Sequence, residues 1–561
     1  MRKAIKEECV GMNRPIRFTQ ELVDEYFAKG HWTEETTSRL WEKNSKLFPD
    51  KEALVSSQRR LTWSQLKQIS DRLAWGFLEM GLKKGDLLLL LVPNCCESYM
   101  IRVACEKAGI LCSTALMTLR ENEIEYILRS FDATAIAIPW KFRGFDYYTA
   151  VHEMHPRFPS LKYIFVIGDE VPTGTISIEE MMQNPCEEKH QTEDFRNTEI
   201  TATEVSVIAC TSGTTGLPKG VEHAQCTRMA AARNYGSAVK LTGEDVVLNI
   251  VSGIAGLGAA FCYNGSAPLV GAKSVLLEIW SPEKTFQQIE KEKATVLVAV
   301  PAQIAQIIKD PSRNRYDIRS LRCITTGTAP LPSRLAIEAE EILKIPISNC
   351  YGQLDGGVVT HTTVDDPPEV RRRTVGKPAK GMVIKLVDEE GKEASEGEVV
   401  YSGPATNGGY YKDLDSTLKA WGSLGLEGFF RSGDLGQFDQ SGNLILIGRK
   451  KDVIIRGGQN IYPTEIEGLL LTHRKIRSVA LVSMPDPIMG EKVCAYVAMN
   501  PGERLTFEEM ISFLKEKKIA NYKLPERLEV LNELPLRGHQ KVAKRELQKD
   551  IIQKLEAEGK L

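Results

Sequence analysis

The chain has 561 residues, 72 basic against 74 acidic side chains, a net charge of −2 and 42% hydrophobic residues. That length exceeds what one hydrophobic core organises, so two or more domains are expected in a globular protein. Near-neutral charge without a long basic run argues against a surface made for nucleic acid or for an anionic membrane.

The opening MRKAIKEECVGMNRP is basic but leads into no apolar stretch, so no secretory signal is read there. Further on, DLLLLLVPN (86–94) reads as a buried strand and ESYMIRVACEKAGI (97–110) as an amphipathic helix. Short apolar runs follow: TAIAI (134–138), KYIFVIGD (162–169) and VSVIAC (205–210). The stretch IVSGIAGLGAAFC (250–262) is weakly polar, yet too short and too glycine-rich to span a bilayer. SVLLEIW (274–280), TVLVAVP (295–301) and RCITTGT (322–328) continue the series, with SPEKTFQQIEKEK (281–293) as a helix among them. The alternation predicts an α/β fold with mostly parallel sheets. From about Gly376 the texture changes. MVIKLVD, EGEVVYSG and GNLILIG (382–448), joined by DEEGKEASEG and FDQSG, predict a small antiparallel β unit. After GRKKD (448–452) a separate α+β unit is expected, with strands at SVALVSM and EKVCAYVAM. Its helix TFEEMISFLKEKK opens with a Thr506/Glu509 capping box. The expected division is 1–450 (β unit about 376–450) and 451–561. Twelve cysteines without a C-x-x-C pair or a Cys/His cluster predict reduced thiols in a cytoplasmic protein, with neither a zinc site nor a disulfide framework.

Between VSVIACT and the next element lies TSGTTGLPKG, beginning at Thr211. Glycines permit close backbone approach, hydroxyls and N–H groups satisfy oxyanions, and a lysine adds positive charge. A strand feeding such a loop is a phosphate-binding context, and Lys219 is expected to face solvent when no phosphate is bound. The spacing is not that of a Walker loop, because Lys219 precedes Gly220 and Gly216 lies only three residues earlier. Four further stretches lie far apart: NCYGQLDGG (349–357), RSGDLG (431–436), GRKKDVIIRGGQNIYPTEIE (448–467) and LPLRGHQKVAKREL (534–547).

In this order, from about Leu61 to Leu547, these motifs resemble the adenylate-forming superfamily of acyl- and aryl-CoA synthetases, peptide-synthetase adenylation domains and luciferases. NCYGQLDGGVVTHTTVDDP and the carboxy-terminal region are most similar to stand-alone aryl-acid ligases, and GGQNIYPTEIE to acyl- and benzoate-type CoA synthetases. The resemblance implies a large amino-terminal ATP- and acid-binding domain and a small mobile carboxy-terminal domain. It also implies a two-step reaction. A carboxylate attacks the α-phosphorus of Mg·ATP and releases pyrophosphate; a thiol, usually that of CoA, then displaces AMP.

The resemblance carries over residue by residue. Thr211, Ser212, Gly213, Thr214, Thr215, Gly216 and Lys219 match the loop around the β- and γ-phosphates. Gly327, Thr328 and Ala329, with Asn349, Cys350 and Tyr351, match the adenine pocket, and Gly352, Gln353 and Leu354 continue the nucleotide motif. Asp434 matches the carboxylate that binds both ribose hydroxyls, and Arg449 its neighbour. Asp355 stands where a Mg²⁺-ligating glutamate is usual. Lys541 matches the mobile lysine that reaches the carboxylate and α-phosphate, Lys451 the hinge, and Gly457–Gly458 the CoA site. Two departures stand out. The usual Y-G-x-T-E is Y-G-Q-L-D here, so Leu354 lacks a hydroxyl and Asp355 is one methylene shorter. The lysine motif reads G-H-Q-K, and the flanking LPLRG and KREL favour Lys541 over Lys544.

The acid pocket is expected along NIVSGIAGLG, with Gly253 at the gate and Ile254, Gly256, Leu257, Gly327 and Tyr235 around it. Where dihydroxybenzoate ligases carry an asparagine for a ring hydroxyl, this chain has none, which argues against that substrate. Glycines leave room for a monocyclic aromatic or alicyclic acid, and in second place for a short or medium fatty acid. CoA is the expected acceptor; no carrier domain is evident after the lysine motif, and a carrier protein in trans is the alternative partner.

Overall fold

A computed structural model describes residues 14–190, 192–211, 218–251, 262, 265–422, 427–537 and 541–560. Two large sheets organise the first two-thirds. The seven-stranded sheet runs in the order Gly220–Ala224, Val205–Cys210, Leu111–Thr114, Leu87–Leu90, Ala135–Pro139, Tyr163–Ile167 and Ile176–Ser177. Only the Gly220–Ala224 pairing is antiparallel. The nine-stranded sheet is parallel from Ile347–Gln353 through Cys323–Thr326, Val296–Val298, Val246–Asn249 and Lys273–Leu276 to Glu52–Val55, with antiparallel strands added at both edges.

Both sheets are covered on both faces, as parallel sheets require. Strand alternation shows the layers directly. Leu88 and Leu90 point into a central core shared with Val247, Leu276 and Val298 of the other sheet. Leu87, Leu89 and Leu91 point the opposite way, into a core beneath the helices Glu121–Phe131 and Tyr147–Met154. The far face of the nine-stranded sheet packs under Pro282–Glu292, Pro301–Lys309 and Ser333–Leu343. Five layers result: helix, sheet, helix, sheet, helix.

The central helical layer corrects one expectation. Cys96–Ala108 is a helix, but it is buried all round rather than amphipathic. Its charges are absorbed by partners: Lys107 by Asp71, Glu97 by Arg59, and Glu106 by the Ser38 N–H at 3.3 Å. A buried charge survives only when paired in this way.

The antiparallel unit is four-stranded: Val383–Val387, Glu396–Ser402, Phe430–Phe438 and Leu444–Arg449. RSGDLG lies within its third strand. Beyond the short 3₁₀ turn Lys450–Asp452, a five-stranded sheet carries two cores of its own. One packs Val479, Leu481 and Val493 against the helices Pro463–Leu470 and Phe507–Glu516; the other packs Val482 and Tyr496 against Lys544–Ala557. Thr506 caps Phe507–Glu516 by accepting the Glu509 N–H at 3.1 Å. The reciprocal arm expected from Glu509 goes elsewhere, to the Lys475 ammonium at 2.7 and 2.9 Å, because an ion pair between elements outcompetes a neutral local bond. Among the described residues no helix is long and apolar enough to cross a membrane. Every described cysteine is a free thiol, and all but Cys210 are buried.

Candidate active site

A cavity of about 990 Å³ opens where the carboxy-terminal ends of the nine-stranded sheet meet the antiparallel sheet and the hairpin bearing Lys541. In open α/β sheets this end of the strands is where ligands bind. Four groups of side chains line it.

The first group comes from Ile347–Gln353 and Phe430–Phe438. Asp434 is buried, and its Oδ2 accepts hydrogen bonds from the Tyr351 hydroxyl at 2.9 Å and from Gln353 Nε2 at 2.6 Å. Its Oδ1 meets Arg449 Nε at 3.1 Å, a pairing dictated by cross-strand register. Gly433, at φ +68°, and a register shift nearby aim the carboxylate into the cavity. Burial and the Asp434 charge push the Tyr351 phenol far up, so it remains a donor. Asn349 is held by the Thr374 carbonyl at 3.3 Å, and Cys350 donates to the Thr326 carbonyl at 3.0 Å. Thr328, just past the strand Cys323–Thr326, sits at φ +69°. A β-branched residue there is strained, and such strain concentrates at functional sites.

The second group surrounds Asp355. Its Oδ2 accepts from the Tyr410 hydroxyl at 2.7 Å. Burial nevertheless pushes its carboxyl above the usual aspartate value, against the opposing pull of Tyr410 and Lys219. Lys219 is half-buried rather than free in solvent. Its Nζ donates to Ser416 Oγ at 2.7 Å, lies 4.6 Å above the Tyr410 ring and is 4.0 Å from Asp413. The Thr211 N–H donates to the Lys219 carbonyl at 2.9 Å, which closes the base of the loop. The loop therefore joins two antiparallel strands, Val205–Cys210 and Gly220–Ala224, and does not open a helix.

The third group is Lys541 with Lys451. Lys541 begins a two-residue strand paired with Leu536–Arg537. Desolvation and Arg449 hold its ammonium below the ordinary lysine value, opposed by Asp434 and Asp355. Lys544 is occupied elsewhere, by Glu467 at 2.6 Å. Lys451 is likewise lowered by desolvation and by Arg449.

The fourth group mixes apolar and polar side chains. Thr227, Arg228, Ala231 and Tyr235 of the helix Gln225–Ala238 line the cavity, together with His223 and Leu354. Leu354 packs on the central core, and its carbonyl accepts from Asn407 Nδ2 at 2.7 Å.

The cavity thus brings together Thr211, Lys219, Tyr235, Thr328, Ala329, the run Asn349–Asp355, Asp434, Arg449, Lys451 and Lys541. Gly327 is buried beside it but does not line it. Gly457 and Gly458 lie away from it, at φ +55° and +81°, in the turn between Ile454–Arg456 and Gln459–Ile461. Two consecutive positive φ angles account for both glycines. Ser212, Gly213, Thr214, Thr215 and Gly216 fall outside the described residues, as do Gly253, Ile254, Gly256 and Leu257. Sequence reasoning missed Tyr410, Ser416, His223 and Arg228. Only Arg228 left a signal: a long cation in an alanine-rich helix, at i, i+3 and i+7 with Ala231 and Tyr235.

The charged lining thus lies at the strand ends, where open α/β sheets take their ligands, and comparison with known proteins shows the class of enzyme. The AMP-binding enzyme model matches residues 41–411, and the AMP-binding enzyme C-terminal domain matches 465–541. The chain is 30% identical over 557 residues to a medium-chain fatty-acid–CoA ligase of Escherichia coli, covering 97% of this chain and 95% of that protein. It is 29% identical over 545 residues to a 2,3-dihydroxybenzoate-AMP ligase of Bacillus subtilis, covering 95% and 97%. The fold matches an anthranilate CoA ligase bound to anthranoyl-AMP with a TM-score of 0.84 at 22% identity, covering 94% and 98%. The chain belongs to the AMP-binding, adenylate-forming enzyme family, and it is an AMP-forming acid–thiol ligase.

Proposed function

We propose that this enzyme activates a small carboxylic acid through an acyl-adenylate, then transfers the acyl group to CoA. The proposed acid is monocyclic, aromatic or alicyclic, with a short or medium fatty acid in second place. The supporting observation is the shared cavity. Asp434 and Arg449, Tyr351 and Gln353, Asp355 and Lys219, and Lys541 from a separately cored unit all face one space.

In the first half-reaction the acid's carboxylate oxygen attacks the α-phosphorus and the bond to pyrophosphate breaks. An anion must approach a polyanion, so the barrier is chiefly electrostatic. Lys541 places an ammonium where negative charge builds between carboxylate and phosphate. Lys219 and the loop rising from Thr211 hold the outer phosphates, Asp434 accepts from the ribose hydroxyls, and Tyr351 offers a flat face to adenine. Leu354, packed on the core, contributes shape instead of the family's usual hydroxyl. Asp355 fits a Mg²⁺ role. The described residues hold no cluster of three or more His, Cys, Asp or Glu side chains, and Mg²⁺ is typically held by one or two carboxylates with waters and phosphate oxygens. Bound there, Mg²⁺ would neutralise phosphate charge.

In the second half-reaction the thiol sulfur attacks the acyl carbon and AMP leaves. We place the mobile unit at 451–561, turning about Lys451, and assign the exposed Gly457–Gly458 turn to CoA. The compartment we assign is the cytoplasm, where buried thiols stay reduced. ATP–pyrophosphate exchange over a panel of acids, followed by AMP release with and without CoA, tests this function. Exchange with a monocyclic acid and CoA-dependent AMP release are expected. Exchange without CoA-dependent release would favour a carrier protein as acceptor; no exchange with any acid would overturn the ligase reading.

A further inference from the structure

Residues 14–32 lie before the part of the chain that the family model matches, yet Phe18, Val23 and Trp32 are built into the central core. The segment clasps the turn 404–410. Trp32 Nε1 donates to the Pro404 carbonyl at 2.9 Å. Arg17 donates from Nε to the Asn407 carbonyl at 3.2 Å and from Nη2 to Thr406 Oγ1 at 3.3 Å, with its guanidinium 4.8 Å above the Trp421 ring. Desolvation lowers that guanidinium to about 10, so it stays charged at neutral pH, where a carbonyl, a hydroxyl and a π face answer it. A Cβ at Gly408 would collide with the Pro15 ring, so a glycine there is what lets the segment lie this close.

The clasped turn reaches both Asp355 and Lys219. On one side Asn407 Nδ2 donates to the Leu354 carbonyl at 2.7 Å and the Val358 N–H to the Ala405 carbonyl at 3.3 Å, which holds the stretch carrying Asp355. On the other side the turn runs along Gly220–Ala224, the strand that follows Lys219. There the Gly408 N–H donates to the Glu222 carbonyl, the Glu222 N–H to the Gly409 carbonyl and the Tyr411 N–H to the Gly220 carbonyl, each at 2.9 Å. Tyr410 stands between the two sides. Its hydroxyl meets Asp355 at 2.7 Å, Lys219 Nζ lies 4.6 Å above its ring, and that ring packs edge-on to Trp421 with centroids 5.8 Å apart. Arg17, Trp421, Tyr410 and Lys219 therefore form one series of contacts from the amino-terminal segment to the phosphate loop.

We propose that residues 14–32 are a working part of the active site, with Arg17 the positioning residue that sets Lys219 and Asp355 against the outer phosphates of ATP. This deepens the ligase function proposed above and rests on it. Arg17 touches no substrate; it acts through the turn it holds and through Trp421. A lysine ammonium on a four-carbon stem has many positions open to it, and the Tyr410 ring is what it lies on. Without Arg17 the turn and Trp421 lose a shared anchor, the Tyr410 ring shifts, and Lys219 and Asp355 lose their common reference. A small misplacement transmitted in this way is felt strongly at the reacting groups. Asp434 and Tyr351 stand apart from that series, held by their own strand register and mutual hydrogen bond, so the adenosine end should not register the change.

The test uses the full-length enzyme and calorimetry with ATP and with AMP, each with Mg²⁺ and without an acid. AMP lacks the β- and γ-phosphates and so reports the adenosine end alone. R17M should weaken ATP binding by about 10-fold and leave AMP binding within about twofold, and R17K should move ATP in the same direction by less. K219A should also weaken ATP more than AMP, and adding R17M to K219A should cost ATP less than about a further twofold, because both act through one ammonium. Thermal unfolding checks that each variant folds; if R17M does not, R17K decides the same comparisons. ATP and AMP weakened alike, ATP affinity unmoved, or losses that simply add in R17M/K219A would overturn the positioning role of Arg17 and leave the ligase function standing. A folded K219A that binds ATP as the unaltered enzyme does would overturn the phosphate role of Lys219 in the proposed function, and the inference with it.

Discussion

Asp434 and Lys541 face the same cavity from opposite kinds of structure. Asp434 lies inside a nine-residue strand, buried, its two oxygens held by Tyr351, Gln353 and Arg449. Lys541 stands on a two-residue strand of a hairpin whose parent unit has its own hydrophobic cores. The proposed nucleotide-binding groups are thus fixed by sheet register and by mutual hydrogen bonds. The proposed catalytic cation is delivered by a unit joined to the rest through the short turn at Lys450–Asp452. A group needed in both half-reactions can be built into a wall. One needed in only the first is better carried on a part that can leave.

The contrast can be broken by experiment. The largest effect is expected for Lys541→Ala. It should lower pyrophosphate exchange by at least about two to three orders of magnitude, the cost of one lost transition-state contact in a desolvated site. The same variant should still convert a prepared acyl-adenylate to thioester; equal damage to both halves would mean the lysine does not leave. Lys451→Pro should give the mirror image, with exchange retained and thioester formation stalled, because a fixed φ stiffens the turn. Rapid quench of the two half-reactions separates these outcomes.

On the fixed side, Asp434→Ala should weaken ATP binding by about 10- to 150-fold, the worth of roughly one charged hydrogen bond at 1.5–3 kcal/mol. Calorimetry with ATP and with an analogue lacking ribose hydroxyls checks it: the mutant should lose its discrimination between them. Tyr410→Phe probes Asp355 by pH. The raised Asp355 pKa means that this carboxylate begins to protonate, on acidification, at higher pH than an ordinary aspartate. Tyr410 opposes that rise by hydrogen-bonding the ionised form, so its removal should move the acid limb of the exchange rate to higher pH; an unmoved limb would separate Asp355 from the rate. The smallest effect is expected for Ser416→Ala, which frees Lys219 from its 2.7 Å contact. A change of about 1 kcal/mol or less in ATP affinity is expected, since one neutral partner is lost at a half-exposed site.

Much of this was written locally in the chain. The strand at VSVIAC, the spacing of TSGTTGLPKG, the change of texture near Gly376 and the separate unit after GRKKD all follow from short-range periodicity and turn chemistry. The preference for Lys541 over Lys544 rests on flanking residues; in the structure Lys541 lines the cavity and Lys544 pairs with Glu467. RSGDLG, whose glycine and aspartate suit a turn, instead occupies a bulged strand, because its neighbours on both sides supply ladder partners. The helix Cys96–Ala108 carries enough charge to look solvent-facing, yet it lies inside, because Asp71 and Arg59 arrive from elsewhere to neutralise it.

The sequence by itself determined the α/β class, the order of the sheets and the enzyme family, since those depend on motifs read within a few residues. Tertiary structure alone decided which distant side chains meet at the cavity. Tyr410 reaches Asp355 across 55 positions, and His223 meets the Leu354 main chain across more than a hundred. Such meetings depend on how two sheets and a buried helical layer stack, and no local pattern encodes that distance. Arg228 sits in an alanine-rich stretch of sequence, and only the packing of its helix beside the strand of His223 brings both side chains to the cavity wall.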